Sequence, residues 1–338
     1  MEIEQFKLLR LQNQHLLTPA GAESVVSGMI GLQAQYGANA LHALKIRSTD
    51  SPDFARCVKT WSMRGTLHLH VVSDLPTILY RGSETDFGQM AFQHESMDAD
   101  RSAFFRALIL EALASGDKSR DELKAACERE GMSEAEAQII LHPWGGLFRA
   151  LAEKGEIAYT ANGNRVFTRL APFEPLEKVP ALQELMRRYV ANYAPVSLRD
   201  AQTFFGIPQK TLGPYLEHCA KESFAFNEQT YFTAGQSLPE GAELPQVLFL
   251  AGFDQLLLGY RKADNPILLK STIKNIYNNT GIVFPTVLIN GTIGAIWKRT
   301  ANRLEIQPLV KIGKRYRAIV ERKAVDNFGG LAVQWTGM

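Results

Sequence analysis

The chain has 338 residues, of which 46% are hydrophobic and 21% charged, and its formal net charge is +2. This composition is ordinary for a globular protein, and the length allows two or three domains with their own cores. No apolar run approaches the roughly 18 residues of a membrane span, and the N-terminus lacks the features of a signal peptide, so we expect a cytoplasmic protein without membrane association.

The first 97 residues predict helices followed by a short strand pair. Glu2–Gln14 and Pro19–Ile30 have the apolar spacing of helices, with Thr18 as the N-cap of the second. A further helix is predicted to run through Phe54–Trp61, and Thr66–Val72 alternates like a strand. Helices followed by a strand pair outline a winged helix.

The same outline recurs twice in the next part of the chain. After each set of helices comes a predicted hairpin, the first around an Asn-Gly turn. The predicted helices are Asp100–Ser115, Ser119–Glu130 and Ser133–Ala152 in one copy, and Leu182–Ala194, a helix capped by Ser197, and Gln209–Glu222 in the other. The hairpin strands are Glu156–Thr160 with Arg165–Thr168, and Phe224–Phe226 with Thr230–Thr233.

From Leu244 the pattern changes to short β-like runs, among them Ile282–Phe284. Asn290-Gly291 is the clearest hairpin signal in the chain, and Ile312–Phe328 predicts a basic helix. We therefore predict an α+β fold of tandem winged-helix (helix-turn-helix) motifs with a C-terminal basic, antiparallel β-domain. The predicted regions are 1–97, 98–172, 181–235 and 244–338.

The small net charge hides an asymmetry between the two parts of the chain. Residues 1–253 carry 24 Lys and Arg against 30 Asp and Glu, whereas residues 254–338 carry 13 against 5. A basic C-terminal region indicates either a polyanionic partner or a solvated β-surface decorated with cations.

Gln33 and Gln35 stand two residues apart within Gly31–Gly37, with Tyr36 beside them and glycines at both ends. In an extended chain both amides point to one side, whereas in a helix they would lie about 200° apart. By itself, such a pair is also compatible with two solvated side chains.

We find no metal-binding or cofactor-binding motif in this sequence. The three cysteines are far apart and form no Cys-x-x-Cys pair, which argues against a disulfide framework and a zinc site. Phosphate-binding and dinucleotide-binding glycine motifs are absent. Five of the histidines lack the spacing of metal ligands: His15, His42, His94, His142 and His218. We expect neither a metal nor a cofactor.

Four segments together resemble the AlkZ/YcaQ-type winged-helix DNA glycosylases. They are Leu32–Gln35, Trp61–Leu69, Gly252–Arg261 and Asn290–Arg299, which occur in the family's order and span nearly the whole chain. The resemblance implies tandem winged helices in a C-shape. Gln-x-Gln marks the AlkZ-like branch, whereas the YcaQ-like branch carries Gln-x-Asp.

The activity implied by the resemblance is excision of N7-alkylated purines from double-stranded DNA in base excision repair. In some members it includes unhooking of interstrand crosslinks. Gln33 and Gln35 would be catalytic: an alkylated base already carries positive charge and leaves without a general acid, so water must be placed and the sugar cation stabilised. We expect a monofunctional, monomeric enzyme, while the lesion and the extent of base flipping stay open.

Other residues are candidates for contact with DNA or the lesion, most of them with a structural alternative. Arg64 and His68 would otherwise share a structural hydrogen bond, Asp254 would be a core or cap carboxylate, and Arg261 would pair with Asp264. Trp297 would otherwise be a packed core residue. The full set is Tyr36, Arg64, His68, Asp254, Arg261, Trp297, Lys298 and Arg299.

The competing interpretation is a non-catalytic winged-helix regulator that binds DNA. A regulator reads bases through Arg, Asn or Gln on its recognition helix. The candidate helix Gln209–Glu222 is poor in Arg and carries Glu217 and Glu222. The acidic balance of residues 1–253 also disfavours strong sequence-independent binding there, so the sequence favours the enzyme.

Overall fold

The computed structural model describes residues 1–87, 97–162 and 165–337. The α-helices of these ranges are α1 (Ile3–Asn13), α2 (Ala22–Gly28), α3 (Gly37–Lys45), α4 (Leu75–Ile78), α5 (Ser83–Phe87), α6 (Ala99–Ala114), α7 (Arg120–Arg129), α8 (Glu134–Ile140), α9 (Gly146–Glu153), α10 (Lys178–Tyr193), α11 (Leu198–Phe205), α12 (Gln209–Cys219), α13 (Gln255–Leu258), α14 (Ile273–Ile276) and α15 (Lys314–Phe328). The β-strands are β1 (Leu32–Gln33), β2 (Cys57–Trp61), β3 (Leu67–Val71), β4 (Lys118–Ser119), β5 (Ile157–Thr160), β6 (Val166–Arg169), β7 (Glu222–Phe226), β8 (Gln229–Thr233), β9 (Val247–Leu250), β10 (Thr286–Ile289), β11 (Thr292–Arg299), β12 (Arg303–Pro308) and β13 (Ala332–Trp335).

The chain divides into two compact units. The terminal unit consists of Met1–Ser51, Met186–Phe204 and Pro208–Met338, and the inserted unit of Pro52–Leu185 and Phe205–Ile207. A mixed α+β fold is thus confirmed, whereas the winged-helix arrangement and its four region boundaries stay predictions.

The terminal unit contains a five-stranded sheet in the order β13-β12-β11-β10-β9. Asn290 and Gly291 have φ of 47° and 72° and join β10 to β11, which confirms the predicted Asn-Gly hairpin. The sheet was predicted to be antiparallel, but β13 pairs with β12 in parallel. The intervening helix α15 supplies the crossover that a parallel pair needs.

The core of this sheet lies against α15. Val320, Ala324 and Phe328 of the helix share one buried cluster with Trp297 of β11 and Leu304 of β12. The same cluster includes residues of β9 and β10, so burial of one apolar helix face fixes α15 across the sheet.

The N-terminal helix joins the terminal unit through aromatic and ionic contacts. Phe6 of α1 stacks on Phe226 of β7, with ring centroids 4.7 Å apart. Arg10 forms a fully buried ion pair with Asp200 at 2.9 Å, and its guanidinium lies 3.6 Å from the Tyr260 ring centroid. The buried charge is therefore neutralised by a carboxylate and covered by a ring.

In the inserted unit, strands β3, β2, β5, β6 and β4 pair antiparallel in that order. Helices α6 and α9 cover the sheet with a buried cluster that includes Phe105, Phe148 and Phe167. The predicted start of α7 is confirmed by a capping box in which Ser119 and Glu122 satisfy each other's backbone N–H groups.

Several local predictions were wrong. Phe54–Trp61 is not a helix: a single 3-10 turn precedes β2, whose β-branched and aromatic residues pair with β3. Thr18 does not cap α2, which begins at Ala22 with its N–H donated to Asp50 Oδ1 at 2.6 Å.

Two further corrections concern helix continuity and a missing strand. Ser133–Ala152 is divided into α8 and α9 by Gly145 and Gly146, whose φ values are 119° and 52°. A Cβ on Gly146 would stand 2.2 Å from the Ile139 carbonyl oxygen, so only glycine fits there. Ile282–Phe284 forms one isolated bridge instead of a strand. The glycine of the predicted Asn162-Gly163 turn lies outside the described residues.

Candidate functional site

The Gln-x-Gln segment begins where α2 ends. Ile30 and Gly31 both have positive φ, 59° and 85°, and the Gly31 N–H donates to the Val26 carbonyl at 2.8 Å. This left-handed helix end turns the chain into the extended residues of β1. Gln33 is therefore not on a helix, and the segment bends at Gln35 before α3 begins at Gly37.

The two glutamines differ in exposure. Gln33 is 8% exposed, whereas Gln35 lies at the surface. A buried amide keeps a fixed orientation, and an exposed one can meet water and substrate directly. The pair therefore spans the boundary between the protein interior and solvent.

Tyr36, beside Gln35, is supported by an aromatic contact. Its ring stacks on Phe253 with centroids 5.8 Å apart and planes 22° from parallel, and 52% of Tyr36 is exposed. Phe253 has a φ of 57°, and its N–H donates to the Val283 carbonyl at 3.1 Å. The exposed part of Tyr36 is available for stacking on a base.

The residues on either side of Asp254 hold the Gln-x-Gln segment. Phe253 lies under Tyr36, and Gln255 donates from Nε2 to the Gly31 carbonyl at 3.3 Å. The Tyr193 hydroxyl oxygen lies 3.1 Å from Gln255 Oε1 and 2.9 Å from the Met29 carbonyl oxygen. The Gly252–Arg261 segment thus supports the predicted catalytic segment through Phe253 and Gln255.

Asp254 itself has no exposed surface, and its contact with DNA or the lesion stays a prediction. Its carboxylate accepts from Arg47 at 2.6 and 2.9 Å and from the Leu256 N–H at 2.9 Å. Arg47 also donates to Gln14, and Gln14 donates to the Tyr260 hydroxyl. Asp254 is thus a core carboxylate and the N-cap of α13.

Arg261 is exposed and pairs with Asp264 at 3.0 Å, three residues along the chain. Its backbone N–H donates to Asp200 Oδ1 at 2.8 Å, which fixes the main chain but leaves the guanidinium at the surface. Because exposed ion pairs are weak, this guanidinium can exchange a carboxylate for a phosphate.

Trp297 lies in the core of the β-sheet and not on an exposed hairpin. It is 9% exposed, its Nε1–H donates to the Leu250 carbonyl at 2.9 Å, and its ring lies 4.8 Å from that of Phe328. The indole N–H is therefore already hydrogen-bonded within the core, and the lesion contact of Trp297 stays a prediction. Lys298 and Arg299 at the end of β11 are exposed and form no ion pair with any described residue.

A cavity of about 720 Å³ lies in the terminal unit beside this strand. Its lining comes from the first turns of α3, from residues 274–285, from the end of β11, from β12 and from Phe328. Sequence reasoning missed it, because its walls come from several separate parts of the chain. The basic balance of residues 254–338 was the one available signal.

Arg64 and His68 belong to the inserted unit. Arg64 has a φ of 58°, and one of its guanidinium nitrogens lies 3.2 Å from His68 Nε2. His68 Nδ1 lies 3.0 Å from the Thr66 carbonyl oxygen and 3.2 Å from Ser62 Oγ. A carbonyl only accepts, so Nδ1 carries the proton and Nε2 accepts from Arg64.

The His68 imidazole is fully buried. Burial, together with Arg64 and His70, holds the pKa of His68 well below its ordinary value. The ring is buried and accepts from Arg64, and its contact with DNA stays a prediction. Arg64 is half-buried and keeps its candidacy as a phosphate contact.

Within the described ranges, no three His, Cys, Asp or Glu side chains are grouped in a way that would hold a metal ion. Among the same residues, no helix has the length and apolar character needed to span a membrane.

Comparison with known proteins gives one consistent family. A family model described as "DNA glycosylase AlkZ-like" matches residues 26–331. A relative from Streptomyces sahachiroi named "Interstrand DNA cross-link repair glycosylase" is 23% identical over 359 aligned positions, which cover 93% of this chain and 92% of the relative. The solved structure of Streptomyces sahachiroi DNA glycosylase AlkZ has a TM-score of 0.77 and 19% identity, with 98% of each chain covered. That likeness shows the fold.

Proposed function

The chain belongs to the AlkZ-like family of DNA glycosylases, and we propose that it hydrolyses the N-glycosidic bond of N7-alkylated purines in double-stranded DNA. Gln33 and Gln35 are the proposed catalytic residues, which places the chain in the Gln-x-Gln branch. The observation that carries this proposal is the helix end at Ile30 and Gly31, which presents two carboxamides beside the half-exposed Tyr36.

The chemistry fits neutral amides. An N7-alkylated purine carries a positive charge, so cleavage of the C1′–N9 bond returns the bonding pair to the ring and releases a neutral base. The sugar then carries oxocarbenium character, water adds to C1′, and its proton passes to solvent. Amide oxygens can accept from that water and stabilise the cation without acting as strong bases.

The exposure difference suggests separate tasks for the two amides. Exposed Gln35 positions the attacking water, and buried Gln33 directs its carbonyl dipole toward the developing cation from a fixed orientation. An amide held by the protein costs no reorganisation when charge develops, which is the condition for electrostatic catalysis.

Unhooking of interstrand crosslinks is the second part of the proposal. A crosslink formed through N7 of two guanines presents the same cationic leaving group at each end, so one hydrolytic step releases one strand. The name of the Streptomyces sahachiroi relative, a cross-link repair glycosylase, supports this extension.

Exposed cations hold the DNA in this proposal. Arg261, Lys298 and Arg299 contact phosphates from the terminal unit, Arg64 does so from the inserted unit, and Tyr36 stacks on a base near the lesion. The basic helix α15 adds exposed charge to the same terminal unit. We propose that the protein acts as a monomer.

Base release from a duplex with a single N7-methylguanine tests the function. Gln33→Ala and Gln35→Ala should each slow single-turnover release by about 100-fold or more while DNA affinity changes little. Gln202→Ala removes an exposed amide from α11 and is the matched control, expected to release at the wild-type rate.

The outcomes separate the proposals. Wild-type release that is unaffected by both substitutions would refute the site while keeping the enzyme. Firm duplex binding without release from either the N7-methylguanine or a crosslinked duplex would favour the non-catalytic regulator.

A further inference from the structure

The cavity in the terminal unit combines aromatic walls with unpaired polar groups. Phe284, Trp297 and Phe328 supply aromatic surface. The amides of Asn39, Asn275 and Gln307 also line the cavity, and none has a side-chain hydrogen bond to another described residue. Side-chain amides beside aromatic surface match the hydrogen-bonding edge and the faces of a nucleobase.

His42 adds an acceptor to this lining. Its Nε2 lies 2.8 Å from the Phe249 carbonyl oxygen, which can only accept, so Nε2 carries a proton. Burial lowers the pKa of His42 below its ordinary value. The ring is therefore neutral near pH 7, and Nδ1 is an acceptor without a partner among the described residues.

Three cations surround the same cavity. Lys274, Lys298 and Arg299 are exposed lining residues, and none forms an ion pair within the part of the chain that the structure describes. The one carboxylate in the lining, Glu305, is already paired with Arg303 at 2.7 Å. The rim therefore carries net positive charge suited to phosphate.

We propose that this cavity binds one nucleotide with an uncharged base that has left the DNA stack, with the base against the aromatic walls and the phosphate at Lys274, Lys298 and Arg299. The volume of about 720 Å³ exceeds what one nucleotide needs and leaves room for bridging water. The inference rests on the proposed function, because it takes DNA as the source of the nucleotide.

The charge of the rim decides which nucleotide enters. A cationic N7-alkylated purine would be repelled by three unpaired cations, so the occupant is an ordinary nucleotide and not the lesion itself. The cavity is also near the catalytic segment in sequence: α3 begins one residue after Tyr36, and Asn39 and His42 line the cavity from that helix. An unstacked neighbour of the lesion would open the duplex for the two glutamines.

Equilibrium binding to undamaged DNA tests this without base release. We would compare a fully paired duplex with the same duplex carrying one bulged adenine nucleotide. Base–aromatic stacking predicts that the wild type prefers the bulged duplex by about 10-fold. Ala38→Trp, which places a large ring from an exposed position into the cavity, and Asn275→Ala, which removes an exposed amide, should both lower this ratio toward one.

Two further arms complete the experiment. Lys274→Gln should lower the ratio, whereas Lys311→Gln, which removes an exposed lysine outside the cavity lining, should leave it unchanged. Free deoxyadenosine monophosphate is the small-molecule probe. Binding of this nucleotide that is lost in Ala38→Trp, together with no preference for the bulge, would overturn the DNA assignment.

Other outcomes are equally decisive. Equal wild-type affinity for the two duplexes, or a preference that survives both Ala38→Trp and Asn275→Ala, would overturn the inference. Because no step requires glycosylase activity, a failed base-release assay leaves this test intact, and a lost bulge preference leaves the glycosylase assignment intact.

Discussion

Arg47 and Asp254 lie 207 residues apart in sequence, yet they form a bidentate ion pair with no exposed surface, at 2.6 and 2.9 Å. The residues that flank Asp254 contact the proposed catalytic segment, Phe253 through Tyr36 and Gln255 through the Gly31 carbonyl. The ion pair thus fixes the turn that supports Gln33 and Gln35.

Breaking this ion pair should destabilise the protein strongly. Asp254→Asn leaves the Arg47 guanidinium buried without its counterion, and we expect a loss of about 3–5 kcal/mol in the free energy of unfolding, measured by urea denaturation. Arg47→Met combined with Asp254→Leu should recover much of the loss. Glu128→Gln breaks the exposed Lys124–Glu128 pair and should cost less than about 0.5 kcal/mol. Equal costs for the two single changes would contradict this account.

Tyr36, which stacks on Phe253, should contribute to base release through its ring and not through its hydroxyl. Tyr36→Ala is expected to lower kcat/KM for release of N7-methylguanine by roughly 10-fold, since one base–aromatic contact is lost. Tyr36→Phe, which keeps the ring, should stay within about 2-fold of the wild type. Steady-state release assays decide this, and equal losses in both variants would assign the role to the hydroxyl.

The pH dependence of release should reveal a neutral catalytic group. Amides do not titrate, so we expect a flat rate for the wild type between pH 6 and 8. Gln35→Glu introduces a carboxylate with an ordinary pKa of about 4.3, and its rate should fall as pH drops toward that value and the carboxylate protonates. A bell-shaped profile for the wild type would contradict this prediction, because it would require a catalytic acid or base that titrates in this range.

His68 should make stability depend on pH. Its folded-state pKa lies well below the unfolded value of about 6.5, so the unfolded chain binds a proton that the folded chain excludes. The contribution of His68 is present above about pH 6.5 and declines as pH falls below that value. His68→Gln should remove that share of the slope in urea titrations at the two pH values. An unchanged slope would mean that the pKa of His68 is the same in the folded and the unfolded chain, against this account.

Phosphate contacts should appear in the salt dependence of duplex binding. Lys298→Gln and Arg299→Gln should each reduce the slope of log K against log salt by about 1, because each contact releases about one counterion. Lys311→Gln provides the control of equal charge. A weaker affinity with an unchanged slope would place the two side chains outside the phosphate interface.

Features that depend on neighbouring residues could be predicted from the sequence, whereas contacts between residues far apart in the chain could not. The Asn290-Gly291 hairpin and the Ser119 cap depend on neighbouring residues, so their sequences suffice. The strand nature of Cys57–Trp61 depends on pairing with β3, and propensity alone misassigned it.

The candidate site shows the same division. Gln33, Gln35 and Tyr36 are adjacent in sequence and could be singled out together. Asp254 is buried against Arg47, 207 residues away, and Trp297 is buried against α15. The sequence motifs that contain these two residues therefore do not predict their burial. His68 is separated from Ser62 by only six residues, but its burial follows from packing that no spacing reveals.

The division of the terminal unit along the chain has a consequence for protein synthesis. Arg10 and Arg47 leave the ribosome before Pro52–Leu185 of the inserted unit, whereas Asp200 and Asp254 emerge after that stretch. At roughly 5–20 residues per second, the two guanidinium groups stay without their carboxylates for about 10 seconds or longer. The helices that carry Arg10 and Arg47 therefore cannot complete their native core before Asp254 has been made, and the Gln33–Gln35 segment gains its support from Phe253 and Gln255 only at that stage.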